Sequence, residues 1–250
     1  MKTIPFTLFA LLSLLVTATT QAKVSTDEAA KLGTTLTPMG AEKAGNRAGS
    51  IPAWDGGLPK ADLPRGANPF ADDKPLYTIT ASNLKQYEAL LTDGQKQLFR
   101  TFPSYKMPVY PTRRSASYPQ WFLDATKKNA TGVELTNSGY GFSGAAQGYP
   151  FPIPKNGTEV MWNHIMRYNT KGFKGYGVVI PTQADGSWAA ERSYIELTYI
   201  YNNPKTTLAT LNNQNLYLLV KTLSPPNKAG TADLVRVPID RIAEQTGVWE

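Results

Sequence analysis

The segment Tyr194-Ile195-Glu196-Leu197-Thr198-Tyr199-Ile200-Tyr201 decides the fold of this chain. Four of its residues, Ile195, Leu197, Tyr199 and Tyr201, alternate with Tyr194, Glu196, Thr198 and Ile200. Successive side chains of a strand point to opposite faces of the sheet. The alternation therefore predicts a β-strand with one apolar face and one mixed face.

Similar alternation recurs over the last third of the chain and predicts an antiparallel sheet. We expect strands at 176–181, 188–201, 216–223 and 232–239, with a last one starting at Val248. Turn sequences rich in Asp, Asn, Gly and Pro separate them. One continuous apolar face is expected to hold Ile195, Leu197, Tyr199, Leu216, Leu218, Val220, Val235 and Val237. Because the chain ends directly after Val248-Trp249 with no turn, we expect the C-terminal part of this sheet to be missing.

The earlier part of the chain predicts short helices joined by long loops. Ser25 and Glu28 form a capping-box pattern, and Thr92 and Gln95 repeat it ahead of a second helical region. A further helix is predicted over 157–168. The fold class expected from residues alone is thus α+β, with helices and Pro/Gly-rich loops in 23–175 and antiparallel strands in 176–250.

The first 22 residues predict a transport signal. Lys2 precedes an apolar run over 4–16, which is shorter than the roughly 20 residues that span a bilayer. Small residues then lead to Ala22, so we expect cleavage to leave Lys23 first and residues 23–250 to form a single domain in the periplasm. No other segment is long and apolar enough to predict a transmembrane helix.

Composition excludes several kinds of chemistry. The 250 residues include no cysteine and one histidine, which rules out thiol catalysis, disulfides and thiolate metal sites. We therefore expect no metal and no cofactor. The net charge of +7 is scattered along the chain, which favours solubility and weak attraction to anionic lipid over nucleic-acid binding.

Each candidate for a polar site has a plainer alternative. The run 139–144 matches G-x-G-x-x-G, but no strand precedes it and no helix pattern follows, so a turn is expected. Asp72-Asp73, and Asp185 near Glu191, are carboxylate pairs typical of solvated turns. Arg113 and Arg114 could clamp an anionic headgroup, since arginine suits oxyanions, or could lie in a solvated loop.

Several motifs resemble one family. They are Leu36-Thr37-Pro38-Met39-Gly40-Ala41-Glu42-Lys43-Ala44-Gly45-Asn46, Ser50-Ile51-Pro52-Ala53-Trp54-Asp55-Gly56-Gly57, Tyr110-Pro111-Thr112-Arg113-Arg114, and Gly148-Tyr149-Pro150-Phe151-Pro152-Ile153-Pro154-Lys155 through Trp162-Asn163-His164. The chain resembles the domain-of-unknown-function 1329 family of Gram-negative exported proteins, which is grouped with the LolA/LolB lipoprotein carriers. The resemblance implies a strongly curved antiparallel sheet, an incomplete barrel, with short helices packed over its concave face. It also implies an outer-membrane protein or a hydrophobe exporter as a partner.

The resulting expectation is a non-catalytic periplasmic carrier or chaperone that binds a lipid, a lipoprotein acyl chain or another hydrophobe on the apolar sheet face for envelope transport. The same face could instead pack against the helices over 84–102 as a solid core. Two other functions stay open. A hydrolase acting on lipid or glycan would need polar groups converging around His164 or Glu196, and a structural subunit of an envelope export assembly would show an exposed apolar sheet edge.

Overall fold

The computed structural model describes residues 24–58 and 66–249. The predicted transport signal and its cleavage site at Ala22 and Lys23 lie outside the described residues. The helices are α1 (Thr26–Ala29), α2 (Leu84–Tyr87), α3 (Asp93–Thr101), α4 (Gln120–Asn129), α5 (Gly157–Ile165) and α6 (Leu208–Leu211). The strands are β1 (Tyr77–Thr80), β2 (Lys106–Val109), β3 (Glu134–Thr136), β4 (Gly141–Ser143), β5 (Gly172–Val179), β6 (Glu191–Tyr199), β7 (Gln214–Ser224), β8 (Ala232–Pro238) and β9 (Gly247–Trp249).

The largest element is a five-stranded antiparallel sheet in the order β5-β6-β7-β8-β9. Each strand pairs with the next along the chain, as the turn sequences predicted. Register shifts interrupt the β6–β7 pair at Arg192 and Ser193 and the β7–β8 pair between Gln214 and Leu216. The sheet is open, with β5 and β9 at its edges. The α+β class with antiparallel strands and short helices is confirmed.

Two small sheets that the sequence did not predict lie earlier in the chain. β1 pairs with β2, and β3 pairs with β4. Tyr87 of α2 stacks on Tyr77 of β1 at 4.7 Å between ring centroids, and Phe99 of α3 contacts Tyr105 at 5.1 Å. The helices over 84–102 therefore make these contacts around β1 and β2, whereas a solid core would have placed them on the large sheet.

The buried core lies at one end of the large sheet. Its members come from β4, from α5 and its flanks, from α6 and from the segments that follow β6 and β8: Phe142, Ala145, Phe151, Trp162, Met166, Tyr201, Leu211 and Ile239. The indole Nε1 of Trp162 donates a hydrogen bond to the carbonyl of Gly139 at 3.0 Å, which fixes the ring within this core. The core thus holds the end of the large sheet against α5 and the β3–β4 hairpin.

The segment after Pro119 forms a helix that the sequence did not predict. Pro119 is the N-cap of α4, which then buries Phe122 completely. The long loop over 34–58 is anchored by Trp54, whose indole Nε1 donates to the carbonyl of Ala116 at 3.0 Å. Within the residues that the structure describes, no helix is long and apolar enough to cross a bilayer.

Candidate ligand-binding face

One face of the large sheet brings together the eight apolar residues that the alternation predicted. Residues opposite each other in antiparallel strands share a face, so the register defines the rows. The rows are Ile195 and Val220; Leu197, Leu218 and Val235; and Tyr199, Leu216 and Val237. We call this set the apolar face.

Two further residues extend the apolar face toward the sheet edges. Phe173 of β5 pairs with Leu197, and Val248 of β9 pairs with Val235. Both are exposed. The sequence prediction missed Phe173 because Gly172, Gly175 and Gly177 break the pattern of β5, so the strand was predicted to start at residue 176.

The apolar face is partly shielded from solvent. All eight central residues are half-buried, and none of them is fully buried. On the opposite face of the same strands, Glu196, Thr198 and Tyr217 are exposed. The apolar face presents contiguous aliphatic carbon to its surroundings, about 14 Å along the strands at a rise of about 3.4 Å per residue.

The two ends of the apolar face differ in polarity. One end runs into the buried core through Tyr201 and Ile239, which follow β6 and β8. The other end is a polar row, because Ser193 pairs with Thr222 and Asp233 pairs with Val220. The face is thus apolar along its middle, closed by the core at one end and bounded by hydroxyl and carboxylate groups at the other.

The opposite face of the sheet is mixed: it carries polar and aromatic groups together with Leu219 and Leu234, which pair with each other. Tyr176 and Tyr194 contact each other edge to face at 5.5 Å, and the guanidinium of Arg236 lies over the ring of Trp249 at 5.7 Å. The hydroxyl of Tyr194 donates to the carboxylate of Glu196. This hydrogen bond raises the pKa of Tyr194, so the phenol stays protonated at neutral pH.

The two arginines predicted as headgroup contacts lie away from the apolar face. Arg113 makes a two-point ion pair with Asp73, with one bond of 3.2 Å from Nε to Oδ2, and its guanidinium covers the ring of Phe70 at 5.0 Å. It lines a pocket of about 340 Å³ formed by residues outside the large sheet. Asp73 also raises the pKa of Arg113, chiefly through the hydrogen bond.

Arg114 is directed into the long loop. Its guanidinium donates to four backbone carbonyls, the shortest at 2.7 Å to Glu42 and 3.2 Å to Lys43, with longer bonds to Ala44 and Pro52. Its donors are thus largely used to hold the loop. A contact between this arginine and a ligand headgroup stays a prediction.

The candidates for catalysis are not brought together. His164 is exposed on α5, where the Nη1 of Arg167 lies 3.4 Å from its Nε2. Glu196 lies on the mixed face of the sheet and is occupied by Tyr194. Asp185 accepts from the backbone and hydroxyl of Ser187, which lowers its pKa as in an ordinary Asx turn.

The G-x-G-x-x-G run forms part of a hairpin. Gly141, Phe142 and Ser143 make up β4, and Phe142 is buried in the core. Within the part of the chain that the structure describes, no group of three or more carboxylate or imidazole side chains could hold a metal ion. Among these candidates, the apolar face is therefore the one whose residues lie together.

Comparisons with known proteins give a family and a relative. A family model described as "Protein of unknown function (DUF1329)" matches residues 78–250. Uncharacterized protein PA3922 of Pseudomonas aeruginosa is 43% identical over 245 residues, which cover 95% of this chain and 53% of the Pseudomonas protein. The chain thus spans about half the length of this curated relative. No solved structure matches the chain.

Proposed function

Because the chain belongs to the DUF1329 family, whose description names no activity, we propose its function from its own surface: it is a carrier that binds the acyl chain of a lipid or another elongated hydrophobe on the apolar face. The binding makes and breaks no covalent bond. A single observation carries the proposal: Leu197, Leu218 and Val235 lie side by side on adjacent strands, and they and their apolar neighbours form one continuous, half-buried surface.

The energetics of an open aliphatic face suit this task. Full burial of a methylene stabilises binding by about 0.8 kcal/mol, so a dozen carbons supply roughly 10 kcal/mol before the costs of association and ordering. An open face covers only one side of a chain, which roughly halves that figure. About 5 kcal/mol corresponds to a dissociation constant no tighter than about 0.2 mM, a weak binding that allows release to an acceptor.

The shape of the ligand follows from the two ends of the face. An amphiphile is preferred to a plain hydrocarbon, because Ser193 and Asp233 can hydrogen-bond a polar head at one end while the core closes the other. The proposal includes a curved sheet of the LolA/LolB type, which is supported by the two register shifts, since bulges bend strands and increase their twist. It also places the protein in the periplasm, on the strength of the predicted transport signal.

The test places a charge on one face or the other of a single strand. Leu218 and its neighbour Leu219 are both half-buried on β7 but point to opposite faces. Leu218→Lys is expected to weaken displacement of a fluorescent fatty acid by dodecanoate at least tenfold, because the ammonium group must lose water against the acyl chain. Leu219→Lys is the matched control and should bind like the parent. Absence of binding in the parent, or equal losses in both variants, would contradict the proposal.

A second pair of variants separates an open face from a filled core. Leu197→Phe and Leu218→Phe add volume on a face that the proposal leaves free for a ligand, so we expect the free energy of unfolding to change by less than about 0.5 kcal/mol. A filled core would lose about 1 to 3 kcal/mol on the same changes. Urea unfolding followed by tryptophan fluorescence gives the comparison.

A further inference from the structure

The edge strand β5 is a long and uninterrupted backbone surface. It extends over eight residues, Gly172–Val179, and pairs with β6 without a register shift. Its side chains are strongly exposed: Phe173 by 51%, Tyr176 by 74%, Val178 by 54% and Val179 by 67%. The other edge strand, β9, has three residues. Among the described residues, β5 is therefore the edge best suited to accept another strand.

One hydrogen bond fixes which backbone groups of β5 point outward. The N–H of Tyr199 donates to the carbonyl of Lys171 at 3.0 Å, so residue 171 turns its polar groups toward β6. In an antiparallel pair this direction alternates from residue to residue. The backbone N–H and C=O groups of Gly172, Lys174, Tyr176 and Val178 must then point away from β6, toward the open edge.

β5 lacks most of the usual features that prevent edge pairing. Natural edge strands are shortened, bulged, or carry Pro, inward-pointing charge and charged side chains such as Lys, of which β5 has only the last. β5 has no bulge and no proline, and Lys174 is its single charged residue. Pro181 stands two residues beyond its end. An extended backbone can therefore pair along the whole of β5.

We propose that β5 pairs antiparallel with β5 of a second copy of this chain, about a two-fold axis perpendicular to the sheet at Tyr176. This register sets Tyr176 against Tyr176 of the second copy, and Lys174 against Val178 of the second copy. All of these residues present outward-pointing backbone groups, so each pair exchanges two hydrogen bonds. The same side of both sheets then continues across the junction, and the two apolar faces become one.

The choice of a second copy rests on self-complementarity. In this register no like charges are opposed, since the two Lys174 residues are offset by four positions, or about 14 Å, which exceeds the screening length of about 8 Å in physiological salt. Phe173 lies against Val179 of the second copy on the apolar side, and Gly175 lies against Gly177 of the second copy, where the backbones approach without side-chain conflict. The proposal is independent of the lipid-binding proposal, and either can fail alone.

The test uses the absence of cysteine from the chain. In the purified full chain, Tyr176→Cys places two thiols across the axis at a Cα separation of about 5.5 Å, which a disulfide can span. Mild oxidation should give mainly the cross-linked dimer. Val178→Cys is the matched control, because its two copies lie about 14 Å apart in this register and should stay mostly monomeric.

A second measurement tests the hydrogen bonds across the proposed junction. Val178→Pro removes an outward-pointing N–H and leaves the hydrogen bonds to β6 in place, so sedimentation should show a dimer dissociation constant at least tenfold weaker than that of Val178→Ala. Two results would overturn the proposal: a parent chain that stays monomeric at about 100 µM, or equal cross-linking at positions 176 and 178. So would a monomer that pairs only with added foreign peptide strands.

Discussion

Asp240 joins parts of the chain that are far apart in sequence. Its carboxylate accepts hydrogen bonds from Thr136 Oγ1 at 3.1 Å and Asn137 Nδ2 at 2.6 Å, and from the backbone N–H groups of Ile242 and Ala243. These bonds lower its pKa, those from Ala243 and Asn137 foremost. The β3–β4 hairpin is thereby tied to the end of β8.

We expect Asp240→Asn to reduce the free energy of unfolding by about 1 kcal/mol at pH 7, because an amide offers one acceptor oxygen where the carboxylate offers two and the site is partly open to solvent. A carboxylate with a lowered pKa in the folded state stabilises fully above its unfolded value, near 3.8, and loses this effect as pH falls through the folded pKa. The difference between parent and variant should therefore shrink below about pH 4. Urea unfolding at pH 7 and pH 3 measures it, and a difference that stays constant with pH would contradict the role.

Single residues of this kind could not be found from the sequence. Asp240 follows a predicted strand, but its side-chain partners Thr136 and Asn137 lie more than 100 residues away and no local pattern points to them. Arg114 was singled out for the right chemistry, that of an arginine with many donors, yet only the folded loop supplies the four carbonyls that occupy it. Residue type limits what a side chain can bind, and long-range contacts decide what it does bind.

The strands and helices were predicted best where periodicity or capping is strong. β6, β7 and β8 match their predicted positions to within three residues because alternation persists over their whole length. The helix α4 was not predicted, because Pro119 at its start offers no capping side chain. Proline at a helix start costs nothing, since the first N–H groups have no partner inside the helix.

The N-cap of α5 supports an element-scale prediction. Asn156 Oδ1 accepts from the backbone N–H of Glu159 at 2.9 Å at the start of the helix that places Trp162 in the core. Asn156→Ala should lower the free energy of unfolding by about 1 kcal/mol, because a helix N–H loses its acceptor. Asn156→Ser keeps a capping oxygen and should stay within a few tenths of the parent. Equal stabilities of the Ala and Ser variants in urea unfolding would show that the cap contributes nothing.

At the scale of the whole molecule, the large sheet could be predicted and its surroundings could not. Alternation assigns residues to faces, but it carries no information about which segment covers a face. The helices over 84–102 looked suitable for the large sheet, yet they contact the unpredicted sheet of β1 and β2 through Tyr77 and Tyr105. Phe99 of α3 is buried and contacts Tyr105, so this helix places its apolar side chain beside β2.

A partly exposed apolar face has a calorimetric consequence. Unfolding raises the heat capacity in proportion to the apolar surface newly exposed, typically by about 12 to 15 cal/mol/K per residue. In this chain the apolar face and several large apolar side chains, such as Tyr176, Trp188 and Val248, are already partly or strongly exposed in the folded state. We therefore expect a heat-capacity change of unfolding per residue below that range.

Saturation with dodecanoate should raise this heat-capacity change, since unfolding then also exposes the surface that the ligand covers. The unfolding temperature should rise with ligand concentration, because a ligand that binds only the folded state adds stability by mass action. Leu218→Lys is the control: its heat-capacity change should match that of the free parent and should not respond to dodecanoate. Differential scanning calorimetry with and without ligand makes the comparison. If the heat-capacity change of the free parent already lies within the usual range, the apolar face is covered in solution. Sedimentation at the calorimetric concentration then shows whether a second copy of the chain covers it.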